Sequence, residues 1–280
     1  MKLAIATDIH LNFVYEAGTS EFIRRVNLSG CDAILLTGDI AEGNNLEKYF
    51  QIFVRECNLP VYFVLGNHDY WGTSVSGIRD DMNKFCAENK GFTYLRSSDP
   101  VILTPGTSLI GIDGWYDAGY GDAKKSTLIM NDWFKISDFS DYVVPNFANS
   151  YYGYENTINK AGIVSYCKKL AILDAELLSR KIDEAAKVSN TILIASHFPG
   201  WLDVSKYRGK PTDKNSQPYY ISKILGDTIN EAAGKHPDKE FKVFSGHTHA
   251  AATTRLAPNL EATVGHSDYG NPQIYKIIEL

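Results

Sequence analysis

Gly66-Asn67-His68-Asp69 follows directly on the apolar run Leu59–Leu65 (LPVYFVL), and the reading of this junction decides how the chain folds. The run reads as a buried strand. Gly66 supplies backbone freedom for a sharp exit, and the next three residues set an amide oxygen, an imidazole and a carboxylate side by side. One polar turn after one strand is often only a turn. Here four further apolar runs end in the same manner.

Lys2–Thr7 runs into Asp8-Ile9-His10, Ala33–Thr37 into Gly38-Asp39, Thr191–Ser196 into His197-Phe198-Pro199, and Phe241–Ser245 into Gly246-His247-Thr248-His249. If the extended form persists through Ile9, alternation points the Asp8 carboxylate and the His10 imidazole to one side. Between these runs lie segments with helical spacing. Thr19–Leu28 and Asn44–Cys57 are the first two, and Leu46, Tyr49, Phe50 and Phe53 form the apolar stripe of the second. Val75–Asn89, Gly162–Val188 and Tyr219–Ala233 follow. Strand alternating with helix indicates parallel βαβ units, whose ligands gather at the carboxyl ends of the strands. The runs near Thr253, Ala262 and Gln273–Leu280 read as closing strands.

Five of the seven histidines stand within a few residues of an apolar strand end; His236 and His266 are left over. If the strands lie side by side, their ends converge on one rim of a sheet and make two adjoining metal sites of nitrogen and oxygen donors. Asp39 is the natural bridge, because a carboxylate can hold two cations with its two oxygens. Duller roles exist for each residue. Asp8, Asp39 and Asn67 can cap helices that begin just after them. His236 reads as a solvent-facing residue after a helix, and His266 either approaches the site or bonds to backbone in a turn.

The composition bounds the answer. The 280 residues are 44% hydrophobic and 22% charged, with a formal charge of -5 and a pI near 5.8, which suits a soluble globular protein and speaks against a broad nucleic-acid surface. MKLAIATD is too short an apolar run for a signal peptide or a membrane span. Cys31, Cys57, Cys86 and Cys167 lack CxxC spacing, so neither a disulfide framework nor a thiolate metal site is indicated and a cytoplasmic location fits. The whole of 1–280 reads as one domain, with an aromatic-rich insertion over about 114–160. That insertion includes Trp115, Tyr116, Trp133, Phe139, Phe147, Tyr151, Tyr152 and Tyr154 and reads as a cap with its own small apolar cluster.

The series Asp8-x-His10, Gly38-Asp39, Gly66-Asn67-His68-Asp69, His197 and Gly246-His247-x-His249, each after a strand and in this order, resembles the calcineurin-like metallophosphoesterase superfamily. The resemblance implies an α/β fold, a four-layer α/β/β/α sandwich with two mixed sheets. It also implies a dinuclear centre in which one metal is held by Asp8, His10, Asp39 and His249 and the second by Asp39, Asn67, His197 and His247. Manganese, iron, zinc or nickel would each suit such donors. Two cations about 3.5–4 Å apart would turn a bridging water into a hydroxide that attacks phosphorus. His68 would serve the leaving group. Family members with a GDxxD pattern keep an aspartate that orients this histidine; here the position is Glu42, one methylene longer.

The substrate is less legible. Protein phosphatases of the superfamily continue the motif as GNHESR, with an arginine clamp for the phosphate, whereas this chain has GNHDYW. That departure speaks against a phosphoprotein and favours a phosphodiester of a small molecule or nucleotide. The alternatives are a phosphomonoesterase, a nuclease, or a non-catalytic scaffold of the same fold. Tyr70 and Trp71 either line the cleft or pack beneath it. Lys206, Arg208, Lys210 and Lys214, on the loop after His197, either hold a phosphate or form a solvated basic loop. The insertion is a lid that stacks on a flat group or a simple cap.

Overall fold

The computed structural model describes residues 1–146 and 155–280. Phe147, Tyr151, Tyr152 and Tyr154 of the expected insertion lie outside the described residues. The first sheet is laid down by β1 (Lys2–Ala6), β2 (Ala33–Thr37), β3 (Val61–Val64) and β4 (Phe92–Tyr94), each parallel to the next. Helices α1 (Glu16–Asn27), α2 (Gly43–Glu56) and α3 (Val75–Glu88) alternate with them, close to the bounds the periodicity predicts.

The second sheet begins with the hairpin β5 (Val101–Thr104) and β6 (Gly106–Gly111). Then come a short helix, α4 (Asp132–Lys135), a second hairpin of β7 (Val143–Asn146) and β8 (Glu155–Ile158), and the long helix α5 (Lys160–Ala186). β9 (Ser189–Ala195) returns to the sheet beside β6. After β9 the chain makes a small hairpin, β10 (Lys206–Tyr207) and β11 (Lys210–Pro211), and two helices, α6 (Gln217–Tyr220) and α7 (Lys223–Lys235). The run expected as one helix from Tyr219 is broken between α6 and α7, where Ile221 is extended. β12 (Glu240–Ser245), β13 (Ala252–Ala257) and β14 (Leu260–Val264) complete the second sheet, and β15 (Lys276–Glu279) closes the first, antiparallel to β1. Both sheets are thus parallel at the centre and antiparallel at an edge.

Alternation along the strands builds the layers. In β1, Leu3 and Ile5 enter the core between the sheets, where they meet Leu193, Ala195 and Phe244, while Ala4 and Ala6 face the helices with Phe22 and Phe50. β9 does the same, with Ile192 and Ile194 turned to the outer core under α5 and α7. The result is a helix, sheet, sheet, helix sandwich. Among the described residues the insertion forms no cluster of its own, contrary to the sequence expectation. Trp115, Trp133 and Phe139 are fully buried and merge with the α1–α3 core, because Phe198 and Tyr219 from the second half of the chain pack among them.

A buried ionic knot joins the start of the insertion to the frame. One oxygen of Asp113 accepts from the hydroxyls of Tyr70 and Tyr94, each at 2.6 Å, and from Arg79 Nε at 3.1 Å; the other accepts from the Leu65 amide at 2.9 Å. Arg96 and Asp174 complete it. Removing one partner leaves the others buried and unmatched, so Asp113→Ala is expected to cost about 3–5 kcal/mol in urea unfolding. A loss below about 1 kcal/mol would show the knot to be dispensable.

Candidate metal centre

The strand ends supply the site in a different way from a simple rim. β1, β2 and β3 belong to the first sheet and β9 and β12 to the second, so the candidate ligands meet at the seam between the two. The extended form does not persist through Ile9 either. Asp8 and His10 adopt φ of 47° and 41°, Asp39 of 50°, and His247 and His249 of 70° and 56°. Among the described residues, five of the seven non-glycine residues with positive φ are candidate ligands. Each such conformation costs on the order of 1–3 kcal/mol and persists only where the surroundings hold it.

Those surroundings are visible. The Asp8 and His10 amides donate to the carbonyls of Gly38 and Asp39, each at 3.0 Å, which laces the loop after β1 to the loop after β2. Asp69 binds the loop after β2 to the loop after β3. Its Oδ1 accepts from the amides of Ile40 and Ala41 and its Oδ2 from Gly66. Burial and the nearby Asp39 charge push its pKa up, and the amides of Ala41 and Gly66 pull the other way. Gly66 is required by close approach more than by freedom at φ: a Cβ there would stand 2.2 Å from Asp39 Oδ1.

Asp8, His10, Asp39 and His249 bring one ligand atom each within 4.8 Å of one another, and Asp39, His197 and His247 do the same. Asp39 belongs to both groups, as expected of a bridge. Asn67 joins the second, its Oδ1 lying 3.1 Å from His197 Nε2 and 3.0 Å from His247 Nδ1. His197 Nδ1 lies 3.0 Å from the Thr37 carbonyl, which can only accept, so this nitrogen carries the proton and Nε2 is left to face the cluster. His10 Nε2 and His249 Nε2 stand 3.2 Å apart, two ring nitrogens aimed at one point. Buried carboxylates and imidazoles converging with few donors among them are the donor set of a borderline cation, so the residues present fit the implied metals.

Charge follows the same logic. Burial pushes the Asp8 carboxyl up, and the His249 contact overcomes it and takes the pKa down to about 2. Burial holds His10 down to about 4 and His247 to about 3, so both are neutral and free to bind a cation. For His197 burial opposes protonation, but the Asp39 charge and hydrogen bond win and raise it to about 10.

The remaining expected residues separate. His68 lies on the wall of a cavity of about 200 Å³ over the cluster, together with Asp39, Trp71, Tyr220 and Tyr269. Its ring stacks on Trp71 at 3.6 Å and its amide donates to Asp39 Oδ1 at 2.8 Å. Glu42 does not orient it: the glutamate ends at Lys135, 3.0 Å away. Lys135 in turn lies over the Trp71 ring at 3.8 Å. Tyr70 is not a cleft residue, since its ring is buried and its hydroxyl is spent on Asp113. Arg208, at the tip of the β10–β11 hairpin, lines a second cavity of about 580 Å³ that shares His249 and Tyr269 with the first. Lys206 and Lys210, although on the same hairpin, line neither, and Lys214 lines a separate cavity with Lys125.

Asp8, Asp39 and Asn67 make no side-chain cap. His236 ends α7 and pairs with Asp183, and His266 bonds the His249 carbonyl. Three residues were missed. Tyr269 lies against His10 at 4.4 Å, and Tyr220 against His247 at 4.7 Å. Asp132 accepts from Asn67 Nδ2 at 2.9 Å. Asp132 falls in a stretch without periodicity, and only its place as the lone acid in the mostly apolar run Leu128–Phe134 hints at burial.

Because His197 is protonated without a cation, loading the site must expel a proton. Mn²⁺ affinity is therefore expected to rise with pH between 6 and 8, by roughly tenfold per unit for each proton released. Calorimetry in buffers of different ionisation enthalpy measures that release; affinity flat across this range would contradict the arrangement.

Three comparisons now bear on the chain. The profile of the calcineurin-like phosphoesterase family matches residues 1–251. No curated protein sequence matches. Among solved structures it resembles the phosphopantetheinyl hydrolase PptH from Mycobacterium tuberculosis, with a TM-score of 0.60 and 16% identity over 96% of this chain and 89% of that one. It also resembles a dimetal phosphatase from Danio rerio, with a TM-score of 0.54 and 13% identity over 95% and 87%. At these identities the likeness is one of fold. With the profile spanning most of the chain and the donors gathered as described, the chain belongs to the calcineurin-like phosphoesterase family and is a metal-dependent phosphoester hydrolase.

Proposed function

We propose that the protein hydrolyses a phosphodiester of a small molecule or nucleotide at a two-metal centre held by Asp8, His10, Asp39, Asn67, His197, His247 and His249. The observation that carries this reading is the lining of the cavity over the cluster. Among the described residues it holds no lysine or arginine; beside the candidate ligands and His68 its walls are Trp71, Leu128, Ile129, Met130, Tyr220 and Tyr269, with Asn131 and Asp132 as the further polar side chains. A phosphomonoester approaches two negative charges at neutral pH, while a diester carries one. A clamp of cationic side chains is what the first needs and the second does without.

When bound, the cations supply Lewis acidity and a nucleophile drawn from water at neutral pH. The chain's own residues do the rest. Asp8 and Asp39, held ionised, set the charge of the site, and His197 is fixed in one tautomer by Thr37. His68, its ring pinned against Trp71, faces the cavity and donates to the leaving oxygen. The adjoining cavity at Tyr207, Arg208 and Tyr269 takes the rest of the substrate, with aromatic faces for a flat group and one guanidinium for an anionic one.

Among the described residues no helix is long and apolar enough to cross a membrane, and Cys31, Cys57, Cys86 and Cys167 are all unpaired. We assign the protein to the cytoplasm on those free thiols. The net charge of -5 speaks against polymeric nucleic acid as the substrate.

With Mn²⁺, kcat/KM is expected to be at least tenfold higher on bis-p-nitrophenyl phosphate than on p-nitrophenyl phosphate, a margin of about 1.4 kcal/mol. A preference for the monoester would overturn the diesterase reading and leave the metal centre standing. His68→Ala is expected to keep both metals and to lose about 10²–10⁴ in turnover of an alkyl ester, with a smaller loss on the nitrophenyl diester, whose leaving group needs little help. Equal losses on the two would remove His68 from the leaving-group role.

A further inference from the structure

Asp132 stands on α4, inside the segment that interrupts the alternating strands and helices, yet it touches the candidate metal cluster through Asn67. It is 1% exposed. Its Oδ1 accepts two hydrogen bonds, from Asn67 Nδ2 at 2.9 Å and from Trp71 Nε1 at 2.7 Å, and its Oδ2 is buried with no partner. The Trp71 bond identifies Oδ1 as an acceptor, since an indole nitrogen can only donate. The Asn67 atom facing it is therefore the amide nitrogen, and the amide oxygen is turned the other way, onto His197 and His247.

An asparagine amide has two ends of similar shape and opposite polarity. Only one end can hold a cation. The two ring nitrogens near Asn67 Oδ1 cannot do the sorting in a loaded site, because they must be free of protons to hold a cation. We propose that Asp132 is a positioning residue for Asn67, supplied by the insertion, which fixes the amide so that its oxygen faces the second metal position. The proposal rests on Asn67 being a ligand there. A carboxylate is suited to the task because, when ionised, it accepts and cannot donate, so a flipped amide would set two oxygens against each other in a buried place. Trp71 holds the carboxylate in turn and spends its ring face on His68. The insertion thus reaches both a candidate ligand and the candidate leaving-group residue through one aspartate and one tryptophan.

The test uses Mn²⁺ alone as the probe, with calorimetry on the full-length protein. Wild type is expected to bind two ions, and Asp132→Leu, which removes the acceptor and leaves the amide free to turn, to weaken one of the two sites about 10- to 100-fold while sparing the other. In an Asn67→Asp background both oxygens of residue 67 are ligand atoms and there is no orientation to fix. Asp132→Leu is expected to cause no loss there and to relieve a repulsion between carboxylates. An equal loss at both sites, the same loss in both backgrounds, or no loss in wild type would overturn the proposal. Trp71→Phe keeps a ring on His68 and removes only the donor that holds Asp132; should Asp132→Leu fail to fold, a selective weakening of the same site by Trp71→Phe decides in its place, and its absence overturns the idea. Asn67→Ala examines the underlying reading. If it retains both sites, Asn67 is not a ligand and the positioning role falls with it, whereas loss of one site with Asp132→Leu silent sinks the positioning role alone.

Discussion

Two carboxylates, Asp8 and Asp39, are buried among imidazoles at the seam of two sheets, and the charge they keep there is the constraint to which the rest of the structure answers. Taking an ionised carboxylate out of water costs several kcal/mol unless it is paired. Among the described residues neither has a lysine or arginine partner. Asp8 has the Thr7 hydroxyl, the His247 amide and His249; Asp39 has the His68 amide and His197. His10 and His247 are kept neutral by the same burial, so the pocket holds an excess of lone pairs over protons. Divalent cations are the complement that such an excess calls for.

Holding these groups together falls to backbone that is not regular. β1, β2 and β12 stop one or two residues short of their ligands, and the ligands occupy left-handed conformations. Such turns bring side chains from successive loops into one volume, which an extended continuation would not. Their cost is met by hydrogen bonds between loops, by Asp69, and by glycine at the crossings. At Gly246 a Cβ would stand 2.0 Å from Thr7 Oγ1 and 2.3 Å from Asp8 Oδ2, so the loop after β12 can approach the loop after β1 only without a side chain.

What the sequence shows best is what repeats. Five apolar runs each ending in polar residues make the strands and the polar groups that converge at their ends legible, because each run carries its own signal of length and hydrophobicity. Two facts about those ends were hidden. A period of two cannot report where a strand gives way to a left-handed turn, so the expected alternation across Ile9 failed while the convergence it was meant to explain held. Nor can it report that the strands divide between two sheets. The insertion shows the opposite case. Its aromatic residues are conspicuous, yet they join the main core, and the residue in it that meets the site, Asp132, has no pattern to mark it. Glu42 was misplaced for a related reason. Its part beside His68 was implied by the resemblance alone, and Lys135, an exposed lysine from the insertion, offers it a charge partner that the motif could not contain.

Trp71 is the residue at which these features meet. It occupies the position at which GNHESR places an arginine, and it fills that position with a ring that has three separate contacts. His68 and the Lys135 ammonium each lie within 4 Å of the ring centre, so they cannot share a face, and the indole N–H points to Asp132. A cation is therefore still present near the arginine position, but the indole stands between it and His68, and Glu42 neutralises it. Among the described residues the cavity over the cluster therefore has no lysine or arginine of its own, and the positive charge of a loaded site would come from its metals. The same substitution that removes a phosphate clamp supplies the support for His68 and, through Asp132, for Asn67. On this account the tryptophan at the arginine position and the insertion depend on each other, because the tryptophan needs α4 to accept its N–H and to cover its outer face.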